Sequence, residues 1–229
     1  MKNILIILIF LSFVGKLFAQ PDSIQTDTHI FWSEDYQIQM SDFHATESQK
    51  YEKYCDSIDL CWSAYVGLFT VLDEPKRKKD RGNLFERVYF APAFEKAPSF
   101  RLNNDSLGYL KQVLIFDMYE LAARRCRRDM HLRFGENPTY GTKYIFFKNV
   151  ENRNREQLSE MVDDLVRDVY IKNIPGAYES WRIKIDDFLE KNKAYKTKQS
   201  DRLRFITNAP LSKRYRKAKT VMGDLNLAN

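Results

Sequence analysis

Near residue 105 the hydrophobic period of the chain changes. Ile58, Leu60, Trp62, Ala64 and Val66 alternate with Asp59, Cys61, Ser63 and Tyr65. A period of two buries one face of a strand. Leu107, Leu110, Leu114, Met118 and Leu121 instead recur at steps of three and four, which marks one face of a helix. Strand periods thus precede helical ones along the chain. That order leaves few packing solutions, and the one it favours is α+β: strands paired among themselves in an antiparallel sheet, with helices laid on it.

The periods set the expected elements. Ile30-Phe31-Trp32 and Gln37–Met40 read as short strands, and 44–56 carries no readable period. The main strands are expected over 57–72 and 84–94, joined as a hairpin by the basic loop Asp73–Asn83. Pro92 places the second strand at an edge or ends it. The first helix is expected from Asp105 to Phe134, capped by Asn104 or Asp105 and stopped by Gly135. Tyr140–Val150 reads as a loop or short hairpin. A second helix, 151–173, presents Leu158, Val162, Leu165 and Val169. Pro175-Gly176 breaks it, and a third helix presents Tyr178, Trp181, Ile185 and Phe188. Trp62 and Trp181 are expected in the core.

The first residues bear on compartment. Met1-Lys2-Asn3 is a basic start, Ile4–Gly15 is a 12-residue apolar run, and Lys16–Gln20 ends in small residues. This is the order of a secretory signal, and the run is too short for a span of about 20 residues. Residues 1–19 are therefore expected to be removed, leaving an exported chain, periplasmic or extracellular, with no membrane span. A single α+β domain is expected over 20–190, followed by a basic tail, 191–229.

Charge is unevenly spread. The net charge is +6, and residues 191–219 hold eleven Lys and Arg against Asp201 alone. The tail is expected to be partly ordered at best. Lys76–Lys79 and Lys213–Lys217 are basic runs suited to an anionic envelope surface such as lipid headgroups or polyanionic glycan. Export argues against nucleic acid as partner. The three cysteines, Cys55, Cys61 and Cys126, form no CxxC and read as packed thiols, with at least one unpaired in the monomer.

The segment Leu110–Arg124 resembles the signature helix of a family of bacterial secreted proteins filed as domain of unknown function 922, which look like zinc metallopeptidases. That helix reads approximately L-x-H-E-x-x-H-F-D-x-x-E-L-x-A-R. Phe116, Asp117, Glu120, Leu121, Ala123 and Arg124 match in place. Trp32, Ile38–Phe43, Ser99-Phe100 and Trp181 follow the family's order of motifs, so the resemblance spans about 30–190. It implies a zincin-like arrangement, an antiparallel sheet packed against three helices.

The departures remove the chemistry. A zincin carries histidines at i and i+4 on one helix face and a glutamate at i+1 as base. Those positions are Lys111, Ile115 and Gln112. An ammonium group repels a dication, isoleucine has no donor atom, and glutamine cannot take a proton. His29, His44 and His131, the only histidines, show no ligand spacing. No catalytic, metal-binding or cofactor-binding residue is therefore assigned. Of the matching residues, Glu120 and Arg124 are expected to pair across one helical turn for about 0.3 kcal/mol, and Asp117 to cap or orient a neighbouring segment. The favoured reading is a non-catalytic relative of secreted metallopeptidases, binding or structural in the cell envelope. The alternatives are an envelope hydrolase with another site and an anionic-surface binder acting through the tail.

Overall fold

The computed structural model describes residues 24–45, 48–136 and 139–219. The expected signal peptide, residues 1–19, and the last ten residues of the tail lie outside the described residues. The fold is α+β, with a four-stranded antiparallel sheet in the order β1-β3-β2-β4. The strands are β1 (His29–Phe31), β2 (Trp62–Pro75), β3 (Arg87–Arg101) and β4 (Tyr215–Lys217). The helices are α1 (Ser48–Ile58), α2 (Ser106–Glu136), α3 (Thr142–Val166), α4 (Ala177–Lys191) and α5 (Gln199–Ile206).

The hairpin of β2 and β3 is the centre of the sheet, in a register that pairs Val66 with Phe94 and Leu72 with Val88. Alternation sorts their side chains between two covered faces. Leu68, Leu72 and Phe90 join the large core built with α2, α3 and α4. Phe94 and Trp62 meet Phe116 of α2 together with Ile30, Trp32 and Phe43. On the opposite face Phe69, Ala91 and Ala93 pack with Phe31, Phe205 and Ile206. That second face needs its own cover, and the segment read as a tail supplies it.

The expectation of a partly ordered tail is therefore corrected, as is the count of three helices. Five helices are described, with α5 on the back of the sheet and β4 extending it. Three polar anchors fix this segment. Arg204 makes a buried bidentate pair with Asp73, at 2.7 and 2.8 Å. Arg127 of α2 donates to Tyr195 O and Thr197 Oγ1. Glu120, also on α2, accepts from Thr197. Composition indicated a solvated charge run, but Arg204 and Lys196 find their carboxylates 131 and 162 positions away, at Asp73 and Glu34.

Other boundaries also shift. Residues 48–58 are helical, so the alternation at Ile58 and Leu60 belongs to a helix end and a link, and β2 starts only at Trp62. Gln37–Met40 is not a strand; Met40–Asp42 forms a 3-10 turn, with Gln39 N–H held by Asp42 at 2.6 Å. β3 neither ends at Pro92 nor lies at an edge. Trp32 N–H donates to Pro92 O, so the proline nitrogen faces the same side, beyond the last β1 pair at Phe31. The ring sits where no N–H is required.

α2 begins as the sequence indicates. Asp105 caps it by accepting from the N–H groups of Leu107 and Gly108, at 3.2 and 2.6 Å. Gly108 lets the first turn sit on Trp62; a Cβ there would lie 2.5 Å from the indole. Of the expected stripe, Leu114, Met118 and Leu121 are fully buried, while Leu107 and Leu110 are exposed. Tyr140–Val150 is mostly helix rather than loop, because α3 starts at Thr142. α3 closes in a π turn, Arg167–Ile171. Trp62 and Trp181 are both buried, as expected. Cys55 and Cys61 form a disulfide, which corrects their reading as packed thiols. Cys126 is the free one, and burial pushes its thiol up to about 12.

Candidate functional site

The two flanks of α2 serve different purposes. One flank carries the positions that the resemblance assigns to zinc chemistry. Lys111 is buried, with its Nζ 4.5 Å from the Tyr170 ring centre and 3.9 Å from Asp59 Oδ2. Asp59 follows α1 in a left-handed conformation, φ 56°. Gln112 is fully engaged. Its Oε1 accepts from Ala64 N–H on β2 at 2.8 Å, and its Nε2 donates to Tyr170 Oη at 3.0 Å. Ile115 packs against the main core.

Tyr170 belongs to the π turn at the end of α3, and such turns often re-aim a single side chain. Burial pushes its phenol well above the ordinary value, so it stays protonated and can both donate and accept. Nothing in the sequence period singled out Tyr170 or Asp59, because their roles depend on contacts across the fold.

This flank does not fit zinc. A zinc site takes imidazole, thiolate or carboxylate donors in a tetrahedral set. Here the residues present an ammonium, an amide with both ends hydrogen-bonded, an alkyl chain, a neutral phenol and the single carboxylate of Asp59. The described residues include no group of three His, Cys, Asp or Glu side chains placed to share a metal ion. His29 meets Thr28 Oγ1 through Nδ1 at 2.8 Å, and burial lowers its pKa. His131 lies beside Tyr195, and His44 N–H binds Lys96 O.

The other flank of α2 borders an open groove of about 640 Å³. Its walls are the segment Trp32–Ile38, the α2 face carrying Leu110, Val113 and Asp117, and the α4 face carrying Tyr178, Arg182 and Leu189. Lys111, Gln112 and Ile115 take no part in it.

Two of the residues that carry the resemblance organise this groove. Asp117 Oδ1 accepts from Trp32 Nε1 at 2.9 Å, and its Oδ2 accepts from Arg182 at 2.7 Å. Asp117 therefore ties the β1 exit to α4, which meets the expectation that it orients a neighbouring segment. Arg182 also pairs with Asp186 one turn on. The Arg124 guanidinium lies 5.2 Å from the Trp32 ring centre and donates to Leu189 O at 2.7 Å. At the rim Lys196 binds Glu34, and that hydrogen bond holds the Glu34 carboxyl below its ordinary value.

The pairing of Glu120 with Arg124 is present at 2.8 Å, but its setting differs from the expected surface pair. Glu120 is fully buried and Arg124 nearly so. A buried, multiply bonded carboxylate has far more at stake than an exposed i,i+4 pair. Trp32, Asp117 and Arg124, distant in sequence, thus meet at one wall of the groove, and Glu120 supports them from beneath.

Comparison with protein-family models, with curated proteins and with solved structures finds no match to this chain.

Proposed function

We propose that this chain is an exported, non-catalytic relative of zincin-like metallopeptidases, which works as a binding protein through the groove between α2 and α4. The observation that carries this reading is the filled flank of α2. Lys111 stands where the first imidazole would be, and Gln112 has both amide ends bonded to Ala64 and Tyr170. No histidine pair stands there, and the position of the glutamate base holds an amide. The groove, in contrast, combines apolar walls from Leu110, Val113 and Leu189 with fixed charges of both signs. Such a surface suits a partner that offers apolar side chains together with polar backbone or charged ends.

Export rests on the basic, apolar and small-residue order of residues 1–20. The Cys55–Cys61 bond is consistent with an oxidising compartment.

The deciding experiment is metal analysis and a peptidase assay on the purified protein after dialysis. Zinc far below one per chain and no hydrolysis are expected. One tightly held zinc per chain, or hydrolysis abolished by a chelator, would remove the non-catalytic reading.

A further inference from the structure

The two basic runs lie far apart in the sequence, yet the fold brings them together. β4 pairs antiparallel with the end of β2, matching Asp73 with Lys217, Glu74 with Arg216 and Pro75 with Tyr215. The ladder goes one step further, since Lys76 N–H donates to Arg214 O at 2.9 Å. The same register sets Lys76 opposite Arg214 and brings Arg77 towards Lys213. The result is a cleft of about 540 Å³ lined by Lys76, Arg77, Lys79, Asp80, Lys213 and Arg214.

All of these residues but Asp80 are cations. Asp80 is the single carboxylate, and it lies 3.7 Å from Arg214. Glu74, the nearest acid on β2, is already taken by Arg216 at 2.8 Å and Arg81 at 3.6 Å. Among the described residues no carboxylate lies within ion-pair distance of Lys76, Arg77, Lys79 or Lys213. Like charges set opposite one another across a ladder destabilise it. The backbone around them is nevertheless well fixed. Asp80 N–H binds Arg77 O at 3.0 Å, and Asp80 O receives Asn83 and Leu84 N–H at 3.0 and 2.9 Å. A concave set of exposed cations on a fixed backbone, with a single counter-charge, draws anions, and lysine and arginine together match the oxygens of a phosphoryl group.

We propose that this cleft is a binding site for a phosphoryl anion, either free or carried on a lipid headgroup. It is a composite of both basic runs, so neither run suffices alone. It is also separate from the groove beside α4, and its success or failure leaves that reading untouched.

The test uses the purified protein with inorganic pyrophosphate in titration calorimetry, and with phosphatidylglycerol or phosphatidylcholine vesicles in co-sedimentation. Lys76→Glu and Lys213→Glu each reverse one charge, one in each run. Lys172→Glu makes the same change at an exposed site outside the cleft. The parent should bind pyrophosphate or phosphatidylglycerol vesicles, more weakly as salt rises. Each cleft variant should lose affinity by about tenfold or more, while Lys172→Glu stays within about twofold. Thermal unfolding without ligand establishes that the variants fold, and the rise in melting temperature caused by pyrophosphate should vanish in the cleft variants alone. Binding of pyrophosphate points to a free phosphoryl ligand; binding of phosphatidylglycerol vesicles without pyrophosphate points to the headgroup. Equal losses in all three variants would reduce the effect to net charge and overturn the proposal, as would the absence of binding to either probe.

Discussion

Glu120 and Thr197 are joined twice. The Thr197 N–H donates to Glu120 Oε1 at 2.9 Å, and its hydroxyl donates to Oε2 at 2.5 Å. Arg124 Nε also reaches Oε1, at 2.8 Å. A wholly buried carboxylate on α2 therefore holds both its own helix neighbour and the segment leading to α5. Removing it leaves Arg124 as an unpaired buried cation, so Glu120→Ala should cost about 3–5 kcal/mol. Thr197→Val should cost about 1–2 kcal/mol. Urea unfolding measures both. A loss under about 1 kcal/mol for Glu120→Ala would reduce the contact to the value of a surface pair.

Trp181 tests the packing of α4. It is buried in the main core, and its indole N–H donates to Asp168 Oδ2 at 3.2 Å. Trp181→Ala should destabilise by about 3–5 kcal/mol. Trp181→Phe keeps most of the volume and drops the hydrogen bond, so it should cost clearly less. Equal costs would show that the Asp168 contact, rather than packing, holds α4 in place.

Acid should loosen the junction of α2 and α3 through Asp129. Burial opposes its ionisation, but hydrogen bonds from Asn154, Arg128 and Arg153 prevail and hold its pKa below the ordinary 3.8. A carboxylate lowered in the folded state contributes stability that is complete above the unfolded pKa. That contribution is lost as pH falls through the folded value. Unfolding free energy of the parent should therefore drop between about pH 4 and pH 2. Asp129→Asn should start lower and fall less steeply over that window. Parallel curves for the two proteins would exclude Asp129 as a source of the acid sensitivity.

The resemblance can be tested on α2 itself. Lys111→His, Gln112→Glu and Ile115→His together install the donor pattern of the family motif. The carboxylate introduced by Gln112→Glu can still accept from Ala64 N–H and Tyr170 Oη, the two groups that Gln112 now engages. The triple variant should hold more zinc than the parent but as a weak two-imidazole site, because Glu120 stays bonded to Thr197 and Arg124. Failure of a folded triple variant to bind zinc would mean that the backbone here never suited the metal.

Much of this fold was legible because period alone decides it. The hairpin of β2 and β3, the start of α2 at Asp105, and the burial of Trp62 and Trp181 all follow from local pattern. The misreadings share a different cause. Arg204, Lys196 and Thr197 look like a solvated run until Asp73, Glu34 and Glu120 are seen beside them. Only tertiary contact reveals those partners, which lie 77 to 162 residues away. The candidate site divides in the same way. Asp117 and Arg124 could be picked out from a helix motif, but Arg182 and Tyr170 are recruited from other helices and leave no spacing to read.

The pair of Asp73 and Arg204 also bears on the order of assembly. The two residues are 131 positions apart and both are almost sealed from water. A chain that emerges amino end first exposes Asp73 long before its guanidinium partner exists, and the edge of β2 waits equally long for β4. Until then an acid destined for the interior and a row of bare backbone groups stay open to solvent or to a neighbouring molecule. The β4 edge, three pairs at the end of β2, can therefore close only after Lys217 has emerged.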